Sequence, residues 1–403
     1  MVRGRIAYLW ASDYFTSDRA IKAKVQHHAD LYAKAKKMKK DGAPVINMAG
    51  ASLNVPPEHA MKAMIDSLQA GGAPNEDYRG SPGLREAIAE REKEARGIEI
   101  DPEKNVLVVG GGTMQCLYLI LHAIVNAGDE IIVFCPSLSL DEIVKLAGGK
   151  PVYVNYVPDD DGFAPDLDEV ERSIGPRTKA IVLNTPHNPT GHVWTEDELK
   201  SVGDMALRHN ILILTDEVWE ELVYDGRKHI SISSMPGMQD IAIKSSGATK
   251  SLSMFDYRVG WIIGNEHLIQ SAYRLMFWLA QFCPPITQVA AEEILRGPKD
   301  WLEEQRQRHQ KKRDILVDGL NEIPGFRAYR PEGSVAAAVD TSEVDPSSLW
   351  LSEYLLEKAQ VLFAPGIAYL GEGYMRVSFR DPLTEEDIQT AVRRVREAIA
   401  TRP

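Results

Sequence analysis

Cysteine is scarce in this chain of 403 residues: only Cys116, Cys135 and Cys283 occur, in apolar surroundings and without metal-ligand spacing. That argues against a disulfide framework or a cysteine-bound metal, and for reduced, buried thiols. A long apolar run is also missing. The best candidate, Cys116 to Val125, is interrupted by His122 and falls well short of the ~18 residues a membrane span needs. The opening Met-Val-Arg-Gly-Arg lacks the apolar stretch of a signal peptide, so a cytoplasmic protein is expected. Basic residues are the minority, 46 against 58 acidic, for a formal charge of −12. A nucleic-acid binder shows the reverse balance, so no nucleic-acid partner is expected. The Lys36-Lys37 and Lys39-Lys40 pairs read as a solvated helix face.

What is present is ordinary globular material, 44% hydrophobic and 26% charged. Short, mostly apolar runs occur at Val106–Val109, Ile131–Phe134, Val152–Val157, Ala180–Leu183, Ile211–Leu214, Ile241–Ile243 and Val259–Ile263. Their continuous rather than alternating hydrophobicity predicts strands buried on both faces, as in a parallel sheet. Between them lie amphipathic stretches such as Met114–Asn126 and Thr195–His209, the latter opening with the capping-box pattern Thr195-Glu-Asp-Glu198. The alternation predicts an α/β domain with a mostly parallel sheet flanked by helices, over about residues 46–295. The flanks, 1–45 and 296–403, read as a smaller α+β domain built from both chain ends, with long charged helices at Trp301–Leu320 and Glu385–Ala400.

Ligands of such a sheet sit beyond the carboxyl ends of its strands. After Val106–Val109 comes Gly110-Gly111-Gly112-Thr113, where small residues and a helix N-terminus suit an anion. After Ala180–Leu183 comes Asn184-Thr-Pro-His-Asn-Pro-Thr-Gly191, and after Ile211–Leu214 comes Thr215-Asp216-Glu217. After Ile241–Ile243 comes Lys244-Ser-Ser-Gly-Ala-Thr-Lys250, with Arg258 eight positions on. An anion cradle, an amide, a carboxylate, and a lysine with an arginine suit a cofactor bearing a phosphate, a phenolic oxygen, a ring nitrogen and an aldehyde. Pyridoxal 5'-phosphate has all four.

From about Val45 to Arg396 the sequence resembles the class I/II aminotransferases among the fold-type I pyridoxal-phosphate enzymes. The blocks are Asn75-Glu-Asp-Tyr-Arg-Gly-Ser-Pro-Gly-Leu-Arg-Glu-Ala-Ile-Ala89, Ala127-Gly-Asp-Glu130, Leu146-Ala-Gly-Gly-Lys-Pro151 and Asn184–Gly191. Asp216-Glu-Val-Trp-Glu-Glu-Leu-Val-Tyr-Asp-Gly226, Thr249-Lys-Ser-Leu-Ser-Met-Phe-Asp-Tyr-Arg-Val-Gly260, Pro365-Gly366 and Gly371–Phe379 follow. The resemblance implies an enzyme that moves an amino group between an L-α-amino acid and a 2-oxo acid. Lys250 then matches the lysine that holds the cofactor as a Schiff base, Asp216 the partner of its ring nitrogen, and Asn188 the donor to its ring oxygen. Arg258 and Thr249 match phosphate ligands, joined by backbone N–H groups at Gly112, Thr113 and Met114. Arg376 matches the arginine that grips the substrate carboxylate, with Asn188 and Gly50 beside it. Tyr78 matches a tyrosine that reaches the phosphate in a neighbouring subunit, which implies a homodimer with shared active sites.

Three positions depart from the family pattern. Leu138 stands where an aromatic ring covers the cofactor, and Trp219 where a tyrosine donates to the ring oxygen. Met48-Ala-Gly-Ala-Ser-Leu-Asn54 replaces a Gly-x-Pro-Asp-type stretch. These departures keep a second reading open, a lyase, cyclase, replacement enzyme or amine oxidase on the same fold. The Asp77-Tyr78-Arg79-Gly80 stretch resembles that of aminocyclopropane-carboxylate synthases.

Overall fold

The computed structural model describes residues 29–75, 77–137, 140–159 and 162–402, together with Ser17 and Ala23. Leu138 and most of the first 28 positions therefore lie outside the described residues. The first strand, β1 (Ile46–Asn47), is followed by β2 (Val106–Val109), β3 (Glu130–Cys135), β4 (Lys150–Pro158) and β5 (Phe163–Pro165). Next come β6 (Thr178–Asn184), β7 (Leu212–Asp216), β8 (Ala242–Gly247) and β9 (Gly260–Ile263). β2 to β9 form one sheet in the order β2-β9-β8-β7-β6-β3-β4-β5. Side chains alternate between its two faces: Ile131 and Val133 enter one core, Ile132 and Phe134 the other. Each such aliphatic group contributes about 1.5–3 kcal/mol when fully buried, which accounts for the continuous apolar runs.

The expected mostly parallel sheet is present, with β5 and β9 running against the other six strands. Four neighbour pairings in the sheet are parallel and three are antiparallel, making it mixed. The run at Val259–Ile263 gives β9, which is antiparallel to both β8 and β2. Burial on both faces dictates hydrophobicity but not strand direction. Between β8 and β9 the chain holds only a short helical turn, Phe255–Tyr257, and reverses at the same edge. The start of β9 consequently lies beside the ends of its neighbours, with Gly260 opposite both Gly247 and Val109.

The helices follow their end signals. The capping box at Thr195 is formed, its hydroxyl accepting from the Glu198 N–H, and the helix Glu196–His209 ends at left-handed Asn210. Thr384 builds the same device ahead of Glu385–Ala400. The helix expected at Met114–Asn126 spans Thr113–Ile124, because Val125 turns extended. The described part of the early Lys- and Ala-rich stretch is the helix Ala29–Lys40, with Lys36, Lys37, Lys39 and Lys40 exposed. Among the described residues no helix is long and apolar enough to cross a membrane.

A smaller sheet follows: β10 (Arg327–Ala328), β11 (Ala336–Asp340), β12 (Val361–Leu362), β13 (Ala364–Pro365) and β14 (Tyr374–Ser378). Four of these form an antiparallel sheet ordered β10-β11-β14-β13, while β12 pairs in parallel with β1. The core beneath it takes Met48 and Leu53 from the early segment. It also takes Val218, Trp219, Leu222 and Tyr224 from the chain just after β7. The segment leaving β7 is thus locked between the two layers.

Gly260 is closely packed against backbone at the working edge. A Cβ there would lie 2.7 Å from the Gly112 carbonyl carbon and 3.0 Å from Cys116 Sγ. Gly260→Ala is expected to cost about 1–3 kcal/mol, as overpacking does. An unchanged denaturation midpoint would show that the edge yields without strain.

Candidate active site

Register brings the polar strand ends together. Asn184 lies opposite Asp216 across β6 and β7, and Asp216 opposite Ser245 across β7 and β8. A cavity of about 260 Å³ opens beyond them, lined among others by Thr113, Met114, Asn188, Asp216, Trp219 and Thr249, and closed by Lys250, Phe255 and Arg258.

Its anionic end is built on glycine. Gly112 has φ +70°, and a Cβ on it would stand 2.7 Å from Thr249 Cγ2 and 2.9 Å from Arg258 Nη2. The helix that starts at Thr113 has no side-chain cap on its first N–H groups. Arg258, itself left-handed at φ 57°, donates to the Phe255 carbonyl at 3.0 Å and the Gly111 carbonyl at 2.7 Å. A fixed guanidinium and a threonine packed closely on an uncapped helix N-terminus, which only a residue without a Cβ allows, fit a phosphate.

The opposite end holds a carboxylate and an amine of unusual acidity. Burial pushes Asp216 up to about 7, aided by Glu217 and Glu220 and opposed by the Val218 N–H and Lys250. Burial, Arg376 and Arg258 push Lys250 down to about 7, opposed by Asp216. Lys250 Nζ donates to the Ala51 carbonyl at 2.8 Å and lies 4.6 Å from the Phe255 ring centroid and 5.5 Å from that of Trp219. Trp219 is buried at the position read as a departure from the family pattern.

Asp216 is steadied from behind by a buried ionic cluster. Lys244, fully buried, lies 2.7 Å from Glu92, 2.7 Å from Glu220 and 3.1 Å from Glu217. Burial alone would raise Glu217, but Lys244 and His229 hold its carboxyl well below the usual range. Arg96 and Arg91 neutralise Glu221 on the flank. Glu217, Glu220 and His229 bring ligand atoms within 4.8 Å of one another, yet the Lys244 ammonium already bonds both carboxylates.

Arg376, 3% exposed, donates from Nη2 to the Ala49 carbonyl at 2.7 Å and from Nη1 to Asn188 Oδ1 at 3.4 Å. Its guanidinium stacks 3.9 Å above the Tyr369 ring, and its Nε is buried without a partner. Gly50 lies beside Arg380, whose Nε donates to the Gly50 carbonyl at 3.1 Å. Three consecutive carbonyls, Ala49, Gly50 and Ala51, thus each receive a cationic side chain.

Of the described residues singled out in the sequence, only Tyr78 stands apart from this group. It does not line the cavity; it is 40% exposed and stacks on Phe282 with centroids 5.4 Å apart. Sequence reasoning missed Tyr369 and Phe255, whose rings carry Arg376 and Lys250, and Arg380. It also missed Tyr32, close enough to Tyr369, Arg376 and Arg380 to interact electrostatically with each. Their nearness depends on long-range folding, so no local spacing announces it.

The pattern of aminotransferases of class I and II matches residues 46–395. A probable aspartate/prephenate aminotransferase of Thermus aquaticus is 34% identical over 372 residues, covering 91% of this chain and 94% of that protein. Aromatic-amino-acid aminotransferase 2 of Thermococcus litoralis is 33% identical, covering 80% and 84%. The structure of the aspartate aminotransferase of Thermus thermophilus with maleate superposes with a TM-score of 0.89 at 31% identity, covering 95% and 99%. The chain therefore belongs to the class I and II aminotransferases. It is an enzyme that depends on pyridoxal phosphate and transfers amino groups on the fold-type I scaffold.

The two shifted groups give cofactor-free protein a distinctive stability profile. From about pH 3.8 to 7 the unfolded chain has released the Asp216 proton that the folded chain keeps, so stability falls as pH rises. From about 7 to 10.5 the unfolded chain keeps the Lys250 proton that the folded chain has released, so stability rises again. Urea unfolding across this range is expected to flatten below neutrality in Asp216→Asn and above it in Lys250→Met. Parent-like slopes in both variants would refute the assignment.

Proposed function

We propose that Lys250 is the residue that bonds the cofactor and then carries the substrate's α-proton, with Asp216 paired to the ring nitrogen. The observation that carries this reading is the single cavity in which a lysine brought close to neutral reactivity faces a buried carboxylate and an anion cradle. Bound pyridoxal phosphate supplies a conjugated ring that accepts the electrons left when the α-proton departs. The chain supplies the rest. Gly112, Thr113, Met114, Thr249 and Arg258 hold the phosphate; Asn188 and Trp219 face the ring oxygen. Asp216, ionised once it meets a ring N–H, keeps a proton on that nitrogen. A neutral Lys250 amine acts first as nucleophile and later as base.

Arg376 grips the substrate carboxylate as a planar fork, its free Nε and the Asn188 contact orienting it beside Gly50. The reading divides the chain into a large domain, 46–295, and a small one from 1–45 and 296–403. A homodimer fits the patch around Tyr78, where Trp278 is 86% and Leu279 55% exposed. Packed against a second copy, Tyr78 reaches that copy's phosphate. Relatives named for aspartate, prephenate and aromatic amino acids support an amino acid paired with a 2-oxo acid.

Lys250→Ala is expected to abolish turnover while the protein still binds pyridoxal phosphate, read by the cofactor's absorbance. Turnover at parent rates would remove Lys250 from its role. Arg376→Ala is expected to raise KM for the amino acid by about tenfold or more, the loss of a charge-assisted pair; an unmoved KM would place the carboxylate elsewhere.

A further inference from the structure

A second cavity, of about 400 Å³, adjoins the first, with Ser137 in the wall of both. Tyr369, the ring on which Arg376 rests, lines it. Arg376 rests on Tyr369 in the wall of the second cavity and Lys250 lines the first, so an amino acid held by both would lie between the two spaces. The side chain then has a room of its own.

That room has a distinct chemistry. Its walls include Tyr153, Tyr156, Tyr369, Tyr374 and Phe163, with Asp141 the one charged side chain among the described lining residues. Asp141 accepts from the Tyr153 hydroxyl at 3.0 Å and from Lys145 at 2.7 Å, and Lys145 does not line the cavity. Against burial, Lys145 and the Tyr153 hydroxyl hold the Asp141 carboxyl below its usual range, whereas two neighbouring groups are disfavoured as anions. Burial, Asp141 and Glu169 push the Cys135 thiol up to about 11. Burial, Tyr329 and Asp340 likewise push Tyr374 up to about 12, with Arg327 opposing. The spare cation near the clamp, Arg380, is engaged by the carbonyls of Gly50 and Asp381 at 3.1 and 2.8 Å.

We propose that this second cavity receives the substrate side chain and selects large aromatic amino acids over those with a second carboxylate, with Asp141 as the specificity-determining residue. The inference rests on the transaminase reading of the first cavity. A flat ring finds edge and face partners among the five aromatic walls. A distal carboxylate finds no cation among the described lining residues and meets Asp141, whose own cation Lys145 is already engaged, so the incoming charge is left unpaired.

The test uses the holoenzyme and two readouts. The first is the rate at which L-phenylalanine or L-aspartate converts the bound cofactor to its amine form, without oxo acid. The second is calorimetric binding of the unreactive analogues 3-phenylpropionate and succinate. Phenylalanine is expected to be favoured by about tenfold or more in kcat/KM, a margin of the size pocket contacts provide, and 3-phenylpropionate to bind more tightly than succinate. Asp141→Asn should lower the phenylalanine-to-aspartate ratio by about threefold or more. Preference for aspartate, tighter succinate binding, or a ratio unmoved in Asp141→Asn overturns the pocket and leaves the transaminase reading standing. Conversion by neither amino acid, with 3-phenylpropionate still preferred, removes the transaminase reading and supports the pocket.

Discussion

Too much positive charge in too little water is the condition around which this site is built. Lys250, Arg258, Arg376 and Arg380 converge on one region, close enough for the three arginines to depress the lysine, while Asp216 opposes them. A buried cation without partners is costly. The protein meets that cost with backbone: the carbonyls of Ala49, Gly50 and Ala51 take Arg376, Arg380 and Lys250 in turn, and those of Gly111 and Phe255 take Arg258. Carbonyl dipoles satisfy hydrogen bonds without cancelling charge. The region therefore stays positive and ready for anionic groups, a phosphate at one end and a carboxylate at the other.

The same principle, with the opposite solution, operates behind Asp216. There full charges are cancelled by full charges: Lys244 against Glu92, Glu217 and Glu220, and Arg91 and Arg96 against Glu221. Thr215 and Ser231 hydroxyls complete the shell around Glu217 at 2.9 and 2.8 Å. Breaking such a cluster by removing one member costs about 3–5 kcal/mol, so the turn that presents Asp216 cannot drift. Adjacent residues on one strand end thus do different work. Glu217 points into the ionic cluster and anchors; Asp216 points into the cavity with, among the described residues, only the Val218 N–H, at 3.3 Å, on its carboxylate. That sparse solvation lets its protonation follow whatever the cavity holds.

The two-layer architecture links both arrangements to the substrate. Trp219 belongs to the core beneath the smaller sheet although it follows directly on the large sheet's β7, and it lines the cavity from that side. Arg376 lies on β14 of the smaller sheet yet bonds Asn188, in the segment that follows β6 of the large one. Any displacement of one layer against the other moves Arg376 relative to Lys250. Catalytic geometry and domain packing are therefore one variable rather than two.

The sequence by itself determined the strands, because burial on both faces demands continuous apolar runs. It determined the helix at 196–209 through a four-residue capping pattern, and the chemistry of the strand ends at Asn188, Asp216, Lys250 and Arg258, because each follows a strand at a readable distance. Tertiary structure alone decided the direction of β9, since hydrophobicity carries no polarity. It alone also seated Tyr369 beneath Arg376 and let carbonyls from 49–51 cap three cations. It placed Asp141 in the wall of a second cavity, more than 200 positions from the tyrosines at 369 and 374 that face it. Those contacts join segments far apart in the chain, and a local pattern records only what neighbours along the backbone require.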